Sequence, residues 1–212
     1  MQNVEGDYCR VVLHRCLEWM DPPGKFRRCK RYEQPARCIS AKKKLHFCID
    51  RDEFRKDGAT LAQNHKSFVE ASRLCEEAGK RICSESEWNF ACEGEELRPY
   101  PYGFERDPSA CNADRLDLAA GAHQLRDLRA PLGAYPRCVS PFGVRDMTGN
   151  LEELVAREDY RRRPALKGGH FLPGRNHCRA HQLIHGPGYS GVETGFRCCT
   201  DPADPLASVH VR

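Results

Sequence analysis

The chain has 212 residues, with 34 basic and 30 acidic side chains, 17 glycines, 14 prolines and 13 cysteines, and a mean hydropathy of −0.70. Its net charge of +4 is small and its basic residues are scattered, which excludes a nucleic-acid-binding surface as its main feature. No apolar run approaches the roughly 18 residues of a membrane span. The glycine and proline content predicts many turns and little regular structure.

The cysteines are spread along the whole chain and do not form Cys-x-x-Cys pairs. This spacing favours disulfides made in an oxidising compartment over zinc ribbons. Their odd number predicts at least one thiol that is free, metal-bound or joined to another chain. The opening MQNVEGDYCR lacks the basic and apolar regions of a signal peptide. We therefore expect a domain of a longer precursor that is exported to the periplasm, the cell surface or the medium.

The first 48 residues hold five of the cysteines, and VVLHRCLEWM is their one strongly apolar run. So short a segment has little core of its own, so we expect a cap held by local disulfides. Zinc binding by these cysteines with His14 or His46 is the alternative.

The middle of the chain carries clearer signals of regular structure. LHFCIDRDEF, from Leu45, predicts a buried strand that runs into an acidic turn. Residues 66–79 predict a helix that turns Cys75 toward the core and ends at Gly79. A second helix begins with a capping box, Ser84-Glu85-Ser86-Glu87, and stops at Gly94.

A long irregular region follows, from 95 to 145, in which LDLAAGAHQLRDL suggests one short helix. Loops of this length are usually ordered by a ligand or a cross-link. Asp146 and Glu153 then place oxygen donors around a turn that could hold calcium, although a capped helix N-terminus gives a similar pattern. The last segment predicts two strands joined by GPGYSGVETG, and a poorly ordered tail.

The blocks FCIDRDEF, EEAGKRICSESEWNFACEG, YPYG, PFGVRDMTGNLEE, LKGGH, CRA and GFRCC occur in an order that resembles the formylglycine-generating, or sulfatase-modifying-factor, superfamily. The resemblance covers roughly residues 45–200. It implies an α+β fold of the C-type-lectin-like kind, irregular and rich in disulfides. A single domain would then span 1–200, with a cysteine-rich insertion at about 9–44 and a flexible tail at 201–212.

The resemblance also implies calcium sites and disulfides. The first calcium site would use the side chains of Asp146 and Glu153 and the carbonyls of Gly149 and Leu151. The second would start at Asn112 and Ala113, with a carboxylate from Asp117 or Asp127. Cys75 would pair with Cys198. Cys92 matches another family disulfide cysteine, but the partner position is Leu183, which leaves Cys178 and Cys199 as candidate partners.

The family's oxidases bind copper(I) through two cysteines, because soft thiolates suit that ion. Pro173 matches the first of these cysteines and Cys178 matches the second. His170 matches the family's Gly-Gly-Ser serine, and Glu152 and Leu154 match two tryptophans. We therefore predict a binding or accessory module whose partner is a protein, a peptide or a small molecule, instead of a two-cysteine oxidase.

The alternative is an oxygen-dependent copper or iron enzyme whose metal is held by His170, His177, Cys178 and His181. On a strand, His177 and His181 would share one face and Cys178 the other. Surface histidines beside a disulfide-bonded Cys178 are favoured, because no carboxylate that would orient a ligating histidine can be identified. A serine hydrolase is disfavoured because the chain has no Gly-x-Ser-x-Gly block.

Overall fold

A computed structural model of the chain describes residues 1–23, 27–115, 125–159 and 163–202. Its elements are β1 (Gln2–Cys9), β2 (Val12–Leu13), β3 (Cys16–Trp19), β4 (Cys29–Tyr32), β5 (Arg37–Cys38), β6 (Lys42–Ile49), α1 (Phe68–Glu77), β7 (Arg81–Ile82), α2 (Glu85–Glu93), β8 (Glu152–Ala156), β9 (Pro164–Lys167), β10 (His181–Gln182), β11 (Thr194–Phe196) and β12 (Cys198–Thr200). The fold is α+β and irregular, as predicted.

Two four-stranded sheets form the framework. The first has the order β1-β6-β12-β7 with antiparallel pairs throughout, so it joins the start of the chain to its end. The second has the order β10-β9-β8-β11, in which β11 runs parallel to β8. Both helices pack against these sheets, and the larger hydrophobic core contains Trp88 and Phe90 of α2 with Val4 of β1 and Phe47 of β6.

Two small antiparallel sheets, β2–β5 and β3–β4, are formed by strands between β1 and β6. Cys9 is joined to Cys38 and Cys16 to Cys29, so the predicted local disulfides are confirmed. The zinc alternative is wrong for these four sulfurs, because each is already bonded to another sulfur. Cys48 is the one free cysteine of the described residues.

Both helices begin with a capping box. Ser84 accepts a hydrogen bond from the Glu87 amide, and the Glu87 carboxylate accepts one from the Ser84 amide, as predicted. The same reciprocal pair occurs at the start of α1 between Ser67 and Glu70. These pairs satisfy amides that a helix N-terminus otherwise leaves without partners.

Four further disulfides cross-link distant parts of the chain: Cys75–Cys198, Cys83–Cys199, Cys92–Cys178 and Cys111–Cys138. Cys198 and Cys199 are neighbours on β12 and point to opposite faces, so one reaches α1 and the other reaches the turn before α2. Cys111–Cys138 spans the long irregular region, whose described parts contain no helix or strand.

Two predicted features lie mostly outside the described residues. The helix predicted within 116–128 falls mostly on residues 116–124, and the predicted tail falls mostly on 203–212. Within the described ranges, no helix is long and apolar enough to cross a membrane.

Candidate functional site

The Gly-Gly block packs the chain after β9 against the Asp146 turn. Gly168 has a φ of 81°, and a Cβ atom there would lie 2.4 Å from the carbonyl oxygen of Met147. A side chain would be strained and would also collide with backbone, so glycine is required at this position. The contact fixes where the following residues, 169–181, can run.

Cys178 lies at the centre of that segment and is fully buried. Its sulfur is bonded to that of Cys92 at 2.04 Å, so Cys178 is the partner of Cys92 and not Cys199. A disulfide sulfur is not a thiolate, and the thiolate is the metal-binding form. The structure therefore agrees with the favoured expectation of a disulfide-bonded Cys178, and the alternative of Cys178 as a metal ligand does not fit it.

The histidines around Cys178 do not lie on one strand. The amide of Ala180 donates to the carbonyl of His177 at 2.9 Å, which makes residues 177–180 a turn, and β10 begins only at His181. Burial lowers the pKa of His177 to about 3, so its ring is neutral, and its Nδ1 atom is buried without a partner. His181 is exposed. The expectation that His177 and His181 share the face of a strand is wrong.

His170, which matches the family's serine, lies near the charged side chains of Glu193 and Arg175. Burial lowers the pKa of its ring, which rests edge-on against Phe171 at 5.0 Å. Arg175 forms an ion pair of 3.2 Å with Glu152. In the described part of the chain, no three His, Cys, Asp or Glu side chains are grouped to hold a metal ion. The implied calcium sites are not of this kind, because some of their ligands would be backbone carbonyl or side-chain amide oxygens.

Glu153, the second implied calcium carboxylate, is engaged by protein groups. Arg197 donates to it through Nε at 2.6 Å and Nη2 at 2.5 Å, and Trp88 donates through Nε1 at 2.8 Å. A third carboxyl, Glu53, accepts a hydrogen bond from the Leu151 amide and another from the Asn150 side chain. Burial raises the pKa of Glu53 well above its usual value. Glu53 and Arg197 were missed as site residues, although IDRDEF and GFRCC had been recognised as motifs.

Asp146 lacks such partners. Its side chain is buried, and its carboxylate forms no hydrogen bond or ion pair with any described residue. Burial raises the pKa of Asp146 to about 7. The charges of Arg197 and Arg145 oppose this shift but do not cancel it, and a bound cation would stabilise the ionised form further.

The two implied calcium blocks adjoin each other. The Asn112 carbonyl accepts the Asn150 amide at 2.8 Å, and a Cβ atom on Gly149 would lie 2.5 Å from that same carbonyl. The Oδ1 atom of Asn112 is buried and has no hydrogen-bond partner. Asp127 forms an ion pair with Arg129, which lowers the pKa of Asp127, and Asp117 lies outside the described residues.

A polar cavity of about 580 Å³ opens between the cysteine-rich insertion and the framework. We call it the Lys167 cavity, since the buried ammonium of Lys167 lines it together with Glu85 and Asn89 of α2. Sequence reasoning missed this site. The one available signal was a lysine in the otherwise buried block PALKGG.

Comparison with known proteins gives one family. The family described as "Sulfatase-modifying factor enzyme 1-like domain" matches residues 10–202. The formylglycine-generating enzyme of Thermomonospora curvata is 28% identical over 171 residues, which cover 65% of this chain and 55% of that protein. The inactive C-alpha-formylglycine-generating enzyme 2 of Bos taurus is 25% identical over 156 residues, covering 66% and 50%. This chain thus spans about half the length of these relatives.

Two solved structures cover nearly the whole chain. PvdO from Pseudomonas aeruginosa superposes with a TM-score of 0.57 and 17% identity, covering 95% of this chain and 99% of that one. CarF superposes with a TM-score of 0.59 and 14% identity, covering 95% and 97%. These identities support the fold alone, which is the irregular, disulfide-rich, C-type-lectin-like α+β fold. The chain belongs to the sulfatase-modifying factor family, as its motif order had indicated.

Proposed function

We propose that this chain is an extracytoplasmic binding or accessory module of the sulfatase-modifying factor family and does not oxidise cysteine. The observation that carries the proposal is the bond between Cys178 and Cys92. Cys178 matches the second copper-binding cysteine of the family's oxidases, and Pro173 stands at the position of the first. Neither position offers the thiolate that copper(I) requires.

The location is supported by the cross-links. Twelve of the 13 cysteines form six disulfides. Such bonds persist in oxidising compartments and are rare in the cytosol, where thiols are kept reduced. The oxygen-dependent copper or iron enzyme, the alternative, loses its only sulfur ligand to one of these bonds.

The test is an oxidation assay with copper(I)-loaded protein and a cysteine peptide that the Thermomonospora curvata enzyme converts. Mass spectrometry is expected to find no formylglycine above a copper-only blank. The Pro173→Cys variant is expected to stay inactive, because a second thiolate is still missing while Cys178 is bonded to Cys92. Formylglycine made by the unmodified chain, while the relative serves as positive control, would overturn the proposal.

Calcium is the structural ion that this proposal includes. At the Asp146 turn, it would be held by the Asp146 carboxylate with the carbonyls of Gly149 and Leu151, since calcium takes oxygen ligands of both kinds. The unpartnered, buried state of Asp146 supports this assignment. Glu153 fits less well, because Arg197 and Trp88 already engage both of its oxygens. At the adjoining block, the orphaned Oδ1 of Asn112 is the matching observation.

A further inference from the structure

The Lys167 cavity is lined by a buried cation that has few hydrogen bonds to the protein. Lys167 is 1% exposed, and its Nζ atom lies 3.2 Å from Oε1 of Glu85 and 5.8 Å from the centre of the Trp88 ring. An ammonium group has three N–H donors, and Glu85 is the one described hydrogen-bond acceptor for them. Burying a charge without full hydrogen bonding is costly, so the remaining N–H groups of Lys167 could donate to an acceptor atom of a ligand.

Beside it lies a buried acceptor with no donor. Asn89 is 5% exposed and lines the cavity, and its Nδ2 atom donates to the Tyr8 hydroxyl at 3.4 Å. Its Oδ1 atom is buried and has no hydrogen-bond partner. Leaving a buried acceptor without a donor is unfavourable, which is a reason to expect that a bound group satisfies it.

The two acceptors face the same space. Glu85 and Asn89 are four residues apart on α2 and therefore lie on one face of the helix, with Lys167 bonded to the first of them. This part of the lining thus presents the Lys167 ammonium next to a carboxylate and an amide oxygen, while Arg179, Glu158 and Asp159 line other parts of the cavity. An anion alone would leave the Asn89 oxygen unpaired, and a cation alone would leave the Lys167 donors unused.

The cysteine-rich insertion also lines the cavity, through Val11, Val12 and His14. Arg179 fixes this side of the cavity, since its guanidinium donates to the carbonyls of Cys9 and Arg10 while it pairs with Glu93. The insertion side of the cavity is therefore held by the framework, and its valines add apolar surface to the lining.

We propose that the Lys167 cavity binds a small zwitterion of the amino-acid class, with its carboxylate on Lys167 and its ammonium on Asn89 and Glu85. The inference rests on the proposed function as a binding module and names the ligand class. The side chain of the ligand lies toward Val11 and Val12, in a volume of about 580 Å³ that is larger than the two polar groups need.

The probes are the twenty standard L-amino acids, each added singly to the full chain and followed by thermal shift and isothermal titration calorimetry. At least one is expected to bind. Its deaminated and decarboxylated analogues, such as 4-methylpentanoate and 3-methylbutylamine for leucine, are expected to bind at least about tenfold more weakly, because each leaves a buried polar group unpaired. Absence of binding by all twenty, or equal binding by the analogues, would overturn the inference.

Two variants locate the site. Asn89→Leu and Lys167→Met are expected to abolish binding, whereas Lys42→Met, which removes an exposed lysine outside the cavity, keeps it. The melting temperature of ligand-free Asn89→Leu is measured beside that of the wild type to show that the variant folds, since the substitution also removes the hydrogen bond to the Tyr8 hydroxyl. If Lys167→Met does not fold, Asn89→Leu alone tests the site. Wild-type affinity for the amino acid in Asn89→Leu would refute the site.

The two proposals fail in different ways. Formylglycine production by the wild-type chain would overturn the proposed function whether or not amino acids bind. An inactive chain that binds no amino acid would overturn only the assignment of the cavity.

Discussion

Arg197 holds together the buried charges around the Asp146 turn. Its side chain is fully buried, forms a two-pronged ion pair with Glu153, and donates to the carbonyls of Asp50, Arg51 and Arg145. Glu53 lies in the same buried region, where its charge acts on that of Glu153. One guanidinium thus serves several carboxyl groups, so removing it leaves uncompensated charge and not merely a lost contact.

Arg197→Met is expected to lower the free energy of unfolding by about 3–5 kcal/mol, because Glu153 would remain buried without its counter-charge. Urea unfolding followed by circular dichroism measures the change. The matched control is Arg137→Met, which breaks the ion pair with Asp107 at a half-exposed site and should cost no more than about 1 kcal/mol. Similar losses in the two variants would contradict the assignment.

At the scale of elements, α2 links both candidate sites. Trp88 donates a hydrogen bond to Glu153, Asn89 lines the Lys167 cavity, and Cys92 forms a disulfide with Cys178 in the segment after β9. Its start could be predicted because a capping box is a local pattern over four residues. The partner of Cys92 could not, since pairing depends on the tertiary path of a segment 86 residues away.

The failed strand prediction around Cys178 has a similar cause. A strand was considered for residues 177–181, but the amide of Cys178 donates to the carbonyl of Pro99 at 2.8 Å, and Cys178 is bonded to Cys92 of α2. Both contacts come from distant sequence. A local capping box therefore predicted the start of α2 correctly, whereas local sequence did not predict a backbone set by long-range contacts.

Ser84→Ala should lower the free energy of unfolding by about 1 kcal/mol, because the Glu87 amide loses its side-chain acceptor at the start of α2. Denaturant titration at constant pH measures the loss. Ser190→Ala, at an exposed loop position, is the control and should change stability by less than about 0.5 kcal/mol. An equally small effect at Ser84 would show that the capping box does not stabilise α2.

For the whole molecule, the order of motifs over residues 45–200 was enough to predict the family and the fold. The sheet order β1-β6-β12-β7 could not be read from any motif by itself, because it pairs strands from both ends of the chain. The Lys167 cavity was also inaccessible to sequence reasoning. It exists only where the cysteine-rich insertion meets the family framework, and neither part predicts the other's position.

Long irregular segments make stability depend on what cross-links them, and calcium at the Asp146 turn would act on the molecule as a whole. A ligand that binds only the folded state stabilises it, by about 2.7 kcal/mol at 100 times its dissociation constant. Chelation is therefore expected to lower the melting temperature, and excess calcium to restore it. Differential scanning calorimetry with and without chelator measures both.

Asp146→Asn distinguishes calcium binding at this turn from other causes of a change in melting temperature. The variant keeps a side chain of similar size but loses the charge that would bind calcium, so its melting temperature should no longer respond to chelator. Asp107→Asn, which changes a surface carboxylate paired with Arg137, should respond like the wild type. A wild-type melting temperature that is the same with chelator and with calcium would exclude the ion. Asp146 would then be a buried carboxyl group that the fold keeps largely protonated up to its raised pKa of about 7.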